Sequence, residues 1–280
     1  MDGYELLDAG GGGRLERFGA FVADRPQPAA LDERLAPDRW FDADLIFDRT
    51  EGWTGPATEA AAASWTADLA GLSLELRPTD SGQVGVFPEH AAMIPWLRER
   101  VTRRVTANAG GTNVLHLFAY TGLVTLALAG ARSAVTHVDS SKPAVAWARR
   151  NAERNALADR PVRWIVDDAL AFTIREARRG RRYAGVVLDP PSYGHAADGR
   201  RSWRLDSDLP DLLDAIDAIL EPAGFVLLTA HSEGIGPDAL AEALEPLAWG
   251  ATRVEADDLV LTAGSGARLP LGAYARVDRA

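Results

Sequence analysis

The stretch Asn113-Val114-Leu115-His116-Leu117-Phe118-Ala119-Tyr120-Thr121-Gly122 decides how this chain is read. Asn113–Phe118 is a short apolar run of the kind that makes a buried strand. A glycine closes the stretch, and Leu123–Ala129 then continues with the composition of a buried helix. A strand that turns through a glycine into a helix is half of a β–α–β unit. The pattern repeats downstream. Strands are expected at Ala134–Val138, Val162–Val166, Tyr183–Leu188 and Phe225–Thr229. Helices are expected from Ser141 to about Asn155, and over Ala169–Arg178, Leu209–Leu220 and Pro237–Leu247. Ser141 caps the first of these, with Pro143 in its first turn, where a missing N–H costs nothing. Strands alternating with helices imply an α/β fold, a parallel sheet covered on both faces.

The flanks read differently. Residues 1–85 suggest a small β-rich N-terminal part. Tyr4–Asp8 and Arg14–Val22 are candidate strands on either side of the glycine run Gly10–Gly13, and Leu72–Leu76 alternates apolar and polar residues. Pro26, Pro28 and Pro37 punctuate what lies between. Trp40, Trp53 and Trp65 are expected to pack rather than to bind. At the other end, Ala251–Glu255, Asp258–Thr262 and Ala273–Val277 are candidate strands joined by Gly-rich turns, a C-terminal antiparallel hairpin. The expected division is an N-terminal part over 1–85 and an α/β domain over 86–280.

Composition excludes several chemistries. With 280 residues, 47% of them hydrophobic, the chain can bury a substantial core. It has no cysteine, so disulfides, thiolate metal sites and cysteine nucleophiles are ruled out. The formal charge of -10 gives no long-range attraction to nucleic acid or anionic lipid. Met1-Asp2-Gly3-Tyr4-Glu5 lacks the basic and apolar regions of a signal peptide. The apolar stretch Val114–Ala131 is broken by His116, Tyr120, Thr121, Gly122 and Gly130, too often for a membrane span. A cytoplasmic protein without membrane contact is expected.

In such a sheet the ligand lies beyond the carboxyl ends of the strands, so the residues that end each strand matter most. The first strand leads into Gly122, which permits close backbone approach, and into a helix whose N-terminus suits a carboxylate or phosphate. One glycine alone fails the G-x-G-x-x-G dinucleotide fingerprint. The second strand ends at Asp139, an acid able to accept from both hydroxyls of a ribose. The third ends in Asp167-Asp168-Ala169, where one carboxylate can accept from an adenine amino group and the other can cap the helix; Asp168 is favoured for the adenine. The fourth ends in Asp189-Pro190-Pro191-Ser192-Tyr193. Its prolines stiffen the loop. The Asp189 side chain and the Pro190 carbonyl can accept from a substrate N–H, and Tyr193 can stack on a planar ring.

Taken in order, these segments resemble the motifs of the bacterial 23S ribosomal RNA (cytosine-C5) methyltransferase-like family of S-adenosylmethionine (SAM) enzymes. Leu115–Gly122, His137-Val138-Asp139-Ser140-Ser141, Asp168-Ala169 and Asp189–Tyr193 carry the resemblance, and Gly85-Val86-Phe87-Pro88-Glu89-His90 is similar to the segment that covers the cofactor. The resemblance implies a Rossmann-like SAM methyltransferase sheet. It implies SAM contacts from Glu89, His90, Phe118, Tyr120, Thr121, Gly122, Asp139, Ser140, Asp168, Ala169 and Asp189. It implies a methyl-transfer site at Asp189, Pro190 and Tyr193, and an RNA substrate of the ribosomal type. Attack on C6 by a thiolate, the usual way to activate cytosine C5, is closed to a chain without cysteine.

Arg175, Arg178, Arg179, Arg181, Arg182, Arg200, Arg201 and Arg204 crowd around the Asp-Pro-Pro loop, with Trp203 among them. Such a set can neutralise phosphates and stack on an unpaired base, or be a solvated surface. His90, His195 and His231 are candidate general bases, His195 foremost. No His/Asp/Glu set has clear metal spacing. Methylation of a small metabolite, with the N-terminal part as a lid, is the alternative function. A nucleotide-binding module or an NAD oxidoreductase is a third.

Overall fold

The glycine run makes the first turn of the fold. Gly11 and Gly12 have φ of 60° and 79°, the left-handed pair that a two-residue hairpin turn needs. They join β1 (Tyr4–Gly10) to β2 (Gly13–Phe18). The expected strand Arg14–Val22 is two strands, because Gly19, at φ 60°, turns the chain into β3 (Phe21–Pro26). The computed structural model describes residues 3–107, 112–195, 202–232, 234–249 and 253–279. Within them the chain divides into two units, Met1–Ala92 with Leu259–Leu271, and Met93–Asp258 with Gly272–Ala280.

In the first unit, β1, β2 and β3 continue into β4 (Leu45–Asp48) and β5 (Gly52–Thr54) as one five-stranded sheet. After the short helix α1 (Thr58–Ala61), β6 (Trp65–Leu69) and β7 (Leu72–Leu76) pair as a hairpin. The tryptophans pack here as expected. Trp40 is buried and donates from Nε1 to Asp8 at 2.8 Å. Trp53 and Trp65 donate to the Thr79 and Phe18 carbonyls at 2.8 and 2.9 Å. Asp8 also accepts from Ala36 N–H at 3.0 Å and Ser265 Oγ at 2.8 Å. Buried Glu16 accepts from Arg25 Nε at 3.0 Å and from Tyr4 at 3.1 Å. An ion pair this deep holds because both partners are hydrogen-bonded.

The second unit starts with α2 (Ile94–Ala107). It was not expected from the sequence, where its arginines mask the buried positions Ile94, Leu97 and Val101. Then come β8 (Asn113–Leu117), α3 (Leu123–Gly130), β9 (Ala134–Asp139), α4 (Lys142–Arg154), β10 (Val162–Val166), α5 (Ala169–Arg178) and β11 (Tyr183–Leu188). Ser141 caps α4, its Oγ accepting from Ala144 N–H at 3.2 Å. A small ribbon, β12 (Tyr193–His195) with β13 (Ser202–Arg204), precedes α6 (Leu205–Asp217). The expected helix Leu209–Leu220 thus begins and ends earlier. Pro210 reads as a first-turn proline, but Asp208 reaches back to Arg204 N–H at 2.8 Å and starts the helix upstream. Leu220 already belongs to β14 (Leu220–Ala230). After α7 (Pro237–Leu244) the chain ends in β15 (Glu255–Thr262) and β16 (Arg268–Asp278). Of the expected strand Ala251–Glu255, Ala251 and Thr252 lie outside the described residues, Arg253 and Val254 are in no strand, and only Glu255 is, as the first residue of β15.

The sheet order is β10-β9-β8-β11-β14-β16-β15. The first five are parallel, and β16 runs antiparallel to β14. This is the Rossmann-like sheet with its antiparallel C-terminal strands. The order reverses between β8 and β11, which is the switch point where such sheets hold ligands. Helices α3 and α4 touch one another, and α5 touches α6, one pair on each face. Among the described residues no helix is long and apolar enough to cross a membrane.

Gly185 sits in the middle of β11, where a glycine is otherwise unfavourable. The Phe225 ring lies across it, 2.1 Å from where a Cβ would stand, and that ring is wedged edge-on against Trp96. Gly185→Ala is therefore expected to cost about 1–3 kcal/mol of stability through overpacking, read as a lower urea midpoint.

Candidate active site

Register aligns the strand ends. Leu117 lies beside Val138 on one side and Leu188 on the other, and Asp139 lies beside Val166. The residues that follow, Phe118, Ser140, Asp167 and Asp189, form a row along the carboxyl edge.

The loop between β8 and α3 is wound tightly. Phe118, Tyr120 and Gly122 have φ of 54°, 48° and 92°. This is why β8 stops at Leu117, one residue before the expected end. Each left-handed non-glycine residue costs about 1–2 kcal/mol, so something must hold it. Asp139 does. Its Oδ2 accepts from Tyr120 N–H and its Oδ1 from Ser141 N–H, both at 2.8 Å. Asn151, buried on α4, donates to the Thr121 carbonyl at 3.0 Å. Gly122 has a second reason to be glycine: a Cβ there would lie 3.0 Å from that of Ala148. Burial raises the Asp139 carboxyl above its ordinary pKa, and the N–H groups of Ser141 and Tyr120 offset part of that.

The two acids after β10 have separate tasks. Asp168 caps α5, its Oδ1 accepting from Ala171 N–H at 2.8 Å. Its second oxygen has no partner among the described residues. Asp167 accepts from Asp168 N–H at 2.9 Å and pairs with Arg175. A shallow cleft opens over the row. Phe118, Asp139, Ser140, Asp168 and Ala169 line it, together with Asp167, Pro191, Gly194 and Trp203.

Beyond β11, Asp189 Oδ1 accepts from Thr229 Oγ1 at 2.5 Å and lies 3.1 Å from His231 Nε2. Both partners come from the end of β14. Thr229 was not singled out in the sequence; only its place at a strand end points to it. Pro190 is buried, while Tyr193 is 73% exposed. The ribbon pairs Tyr193 with Arg204 and Gly194 with Trp203. Trp203, expected as a stacking surface, is 7% exposed. Its ring packs against Phe118 at 5.0 Å between centres, and its Nε1 donates to the Pro191 carbonyl at 2.8 Å. A buried, hydrogen-bonded indole anchors the ribbon instead.

The arginine cluster comes apart in space. Helix α5 starts at the carboxyl edge and runs ten residues, about 15 Å, to the opposite edge. There Arg163 and Arg179 converge on buried Glu176 at 3.3 and 3.0 Å, and Arg182 donates to the Ala218 carbonyl at 2.6 Å. Of the described members only Arg175 and Arg204 stand at the cleft end. Arg200, Arg201 and the His195 side chain lie outside the described residues. Glu89 and His90 belong to the first unit, in the short 3-10 helix Pro88–Met93. Glu89 is buried, and the His90 ring packs on Phe87 at 5.8 Å.

A reversed parallel sheet, a glycine-turned first loop, an acid ending β9 and an Asp-Pro-Pro loop after β11 define a class: nucleoside-cofactor-dependent group transfer at a switch point. A model of the S-adenosylmethionine-dependent methyltransferase family matches residues 89–256, over half of the chain, and the chain belongs to that family. It is a SAM-dependent methyltransferase. The chain is similar to the SAM-dependent methyltransferase from Agrobacterium tumefaciens, at 35% identity and a TM-score of 0.91, covering 100% of this chain and 91% of that one. It is also similar to the ribosomal RNA large subunit methyltransferase K/L of Shewanella loihica, 30% identical over 194 residues, 68% of this chain and 25% of that protein. The enzyme of the same name from Magnetococcus marinus is 29% identical over 163 residues, 58% of this chain and 21% of that protein. The chain thus spans about a quarter of the length of these curated relatives.

His137 lies fully buried beneath the first loop. Burial, with His116 and Arg149 adding to it, holds its pKa well below the ordinary value of 6.5. The unfolded chain therefore takes up a proton near pH 6.5 that the folded chain refuses. Stability falls as pH drops below that point, by at most about 1.4 kcal/mol per pH unit for one such group. The fall in melting temperature between pH 7 and pH 5 is expected to be shallower in His137→Gln than in the wild type.

Proposed function

We propose that this enzyme methylates a nitrogen of a nucleobase in RNA, with ribosomal RNA as the substrate class. Asp189 carries the reading: a carboxylate held by Thr229 and His231 at the switch point, beside the cleft, in a chain without cysteine. The motif resemblance to cytosine-C5 enzymes and the names of the large-subunit relatives support an RNA acceptor. The missing thiolate favours nitrogen over carbon, because an amine needs no covalent activation. A cytoplasmic place belongs to the same reading.

The residues present fit SAM. Each Asp139 oxygen has a lone pair left after Tyr120 and Ser141, enough for two ribose hydroxyls. The second oxygen of Asp168 is available to an adenine amino group. The N-terminus of α3 at Gly122 suits a carboxylate. Phe118, Ala169 and Ser140 wall the cleft, and Tyr120 and Thr121 shape the loop. When bound, SAM supplies a methyl group already activated by the sulfonium. The chain's task is alignment. Asp189 and the Pro190 carbonyl accept from the acceptor's N–H and turn its lone pair toward the methyl group, and Tyr193 stacks on the ring.

A second reading, a small-metabolite acceptor, draws on the charge of -10 and on arginines spent around Glu176 at the far edge. Transfer of tritiated methyl to unmodified total RNA, with a metabolite extract in parallel, separates the two. Label in RNA is expected; label only in the extract sinks the RNA reading. Asp189→Ala is expected to lower transfer roughly 100-fold while S-adenosylhomocysteine binds within about twofold of wild type, as loss of alignment alone would do. Asp139→Ala is expected to weaken that binding itself.

A further inference from the structure

We infer that His116, Thr125 and His137 form a directed chain of hydrogen bonds that sets the β8–α3 loop for SAM, with Thr125 as its positioning residue. The inference rests on the reading that this loop holds the cofactor. The three side chains come from β8, α3 and β9 and are 5%, 0% and 0% exposed. Thr125 Oγ1 lies 2.7 Å from His116 Nδ1 and 2.9 Å from His137 Nδ1.

A hydroxyl has one proton and can donate to only one of these nitrogens. The other Nδ1 must carry its own proton and donate to Oγ1. The two rings therefore hold opposite tautomers. Their order follows from His137. Its buried Nε2 makes no hydrogen bond of ordinary geometry, and the Tyr120 backbone favours a proton on that ring. With the proton on Nε2, His137 accepts at Nδ1 from Thr125, and His116 donates from Nδ1. The chain runs His116 to Thr125 to His137 and ends facing Tyr120, whose left-handed peptide Asp139 grips from the other side. The edge of the ring also lies close under Gly122, its Cε1 3.9 Å from where a Cβ would stand. A buried N–H short of an acceptor is costly. The Tyr120 backbone is the group that offsets part of that cost, so the chain of hydrogen bonds reaches the loop through His137 and holds it in place.

Histidine two-bond proton–nitrogen spectra of the wild-type protein test the chain directly, with His116→Gln and His137→Gln giving the assignments. One ring protonated on Nδ1 (His116) and one on Nε2 (His137) is expected; both on Nε2 overturns the proposal. For function, Thr125→Val removes the hydroxyl at constant volume, and Thr125→Ser keeps it. S-adenosylhomocysteine is expected to bind about tenfold more weakly to the valine variant and within about threefold to the serine variant, with kcat at saturating SAM little changed. Tenfold corresponds to about 1.4 kcal/mol, the size of one buried hydrogen bond. Wild-type affinity in Thr125→Val overturns the proposal, and so does weak binding in Thr125→Ser. If Thr125→Val does not fold, the wild-type spectra and the serine variant decide. A wild-type protein that bound no S-adenosylhomocysteine would remove the cofactor reading of the loop and leave the tautomers standing.

Discussion

One carboxylate ties the site together. Asp139 takes the N–H of Tyr120 from one β–α loop and that of Ser141 from the next. Its own carbonyl takes the N–H of Asp167 at 3.1 Å, which brings in the end of β10. Three strand ends are thus fixed through a single residue. The left-handed peptides at Phe118 and Tyr120 persist because this grip, together with Asn151 on Thr121, outweighs their strain. The arrangement also sets the chemistry. A carboxylate already satisfied by two backbone donors is oriented in advance, so little ordering is left for a ligand to impose.

Charge in the second unit is sorted by edge. The carboxyl edge carries Asp139, Asp167, Asp168 and Asp189. The opposite edge carries arginines, several of them committed to Glu176, which Tyr183 also binds at 2.7 Å. An acidic edge suits a cationic sulfonium and hydroxyl donors. It does not draw in a polyanion by field alone. Near the cleft the groups that break this pattern are the exposed Tyr193 and its strand partner Arg204.

The sheet and its strand ends were legible because buried parallel strands are continuous apolar runs and their caps are local. Val162–Val166, Ala169–Arg178 and Tyr183–Leu188 have the bounds the sequence suggests. What failed was non-local. Nothing in Gly19 marks a turn rather than a strand residue until Thr66 is seen 2.4 Å from its would-be Cβ. Arginines adjacent in sequence read as one patch, yet a ten-residue helix carries them to the far edge. Trp203 reads as exposed among arginines, yet strand pairing turns it onto Phe118. Asp189 was legible as a strand-end acid. Its bonds to Thr229 and His231 depend on β14 lying next to β11, which topology decides.

The first unit includes Leu259–Leu271, the tip of the last hairpin. Leu269 and Leu271 share a core with Leu6 and Ala9, and Ser265 reaches Asp8. During synthesis β1 therefore emerges long before the residues that cover it. Made at about 5–20 residues per second, the chain leaves that apolar strand waiting for on the order of ten seconds or more. A strand made well before its cover is thus buried late, and over that interval it relies on chaperones or on its own charged neighbours to stay out of aggregates.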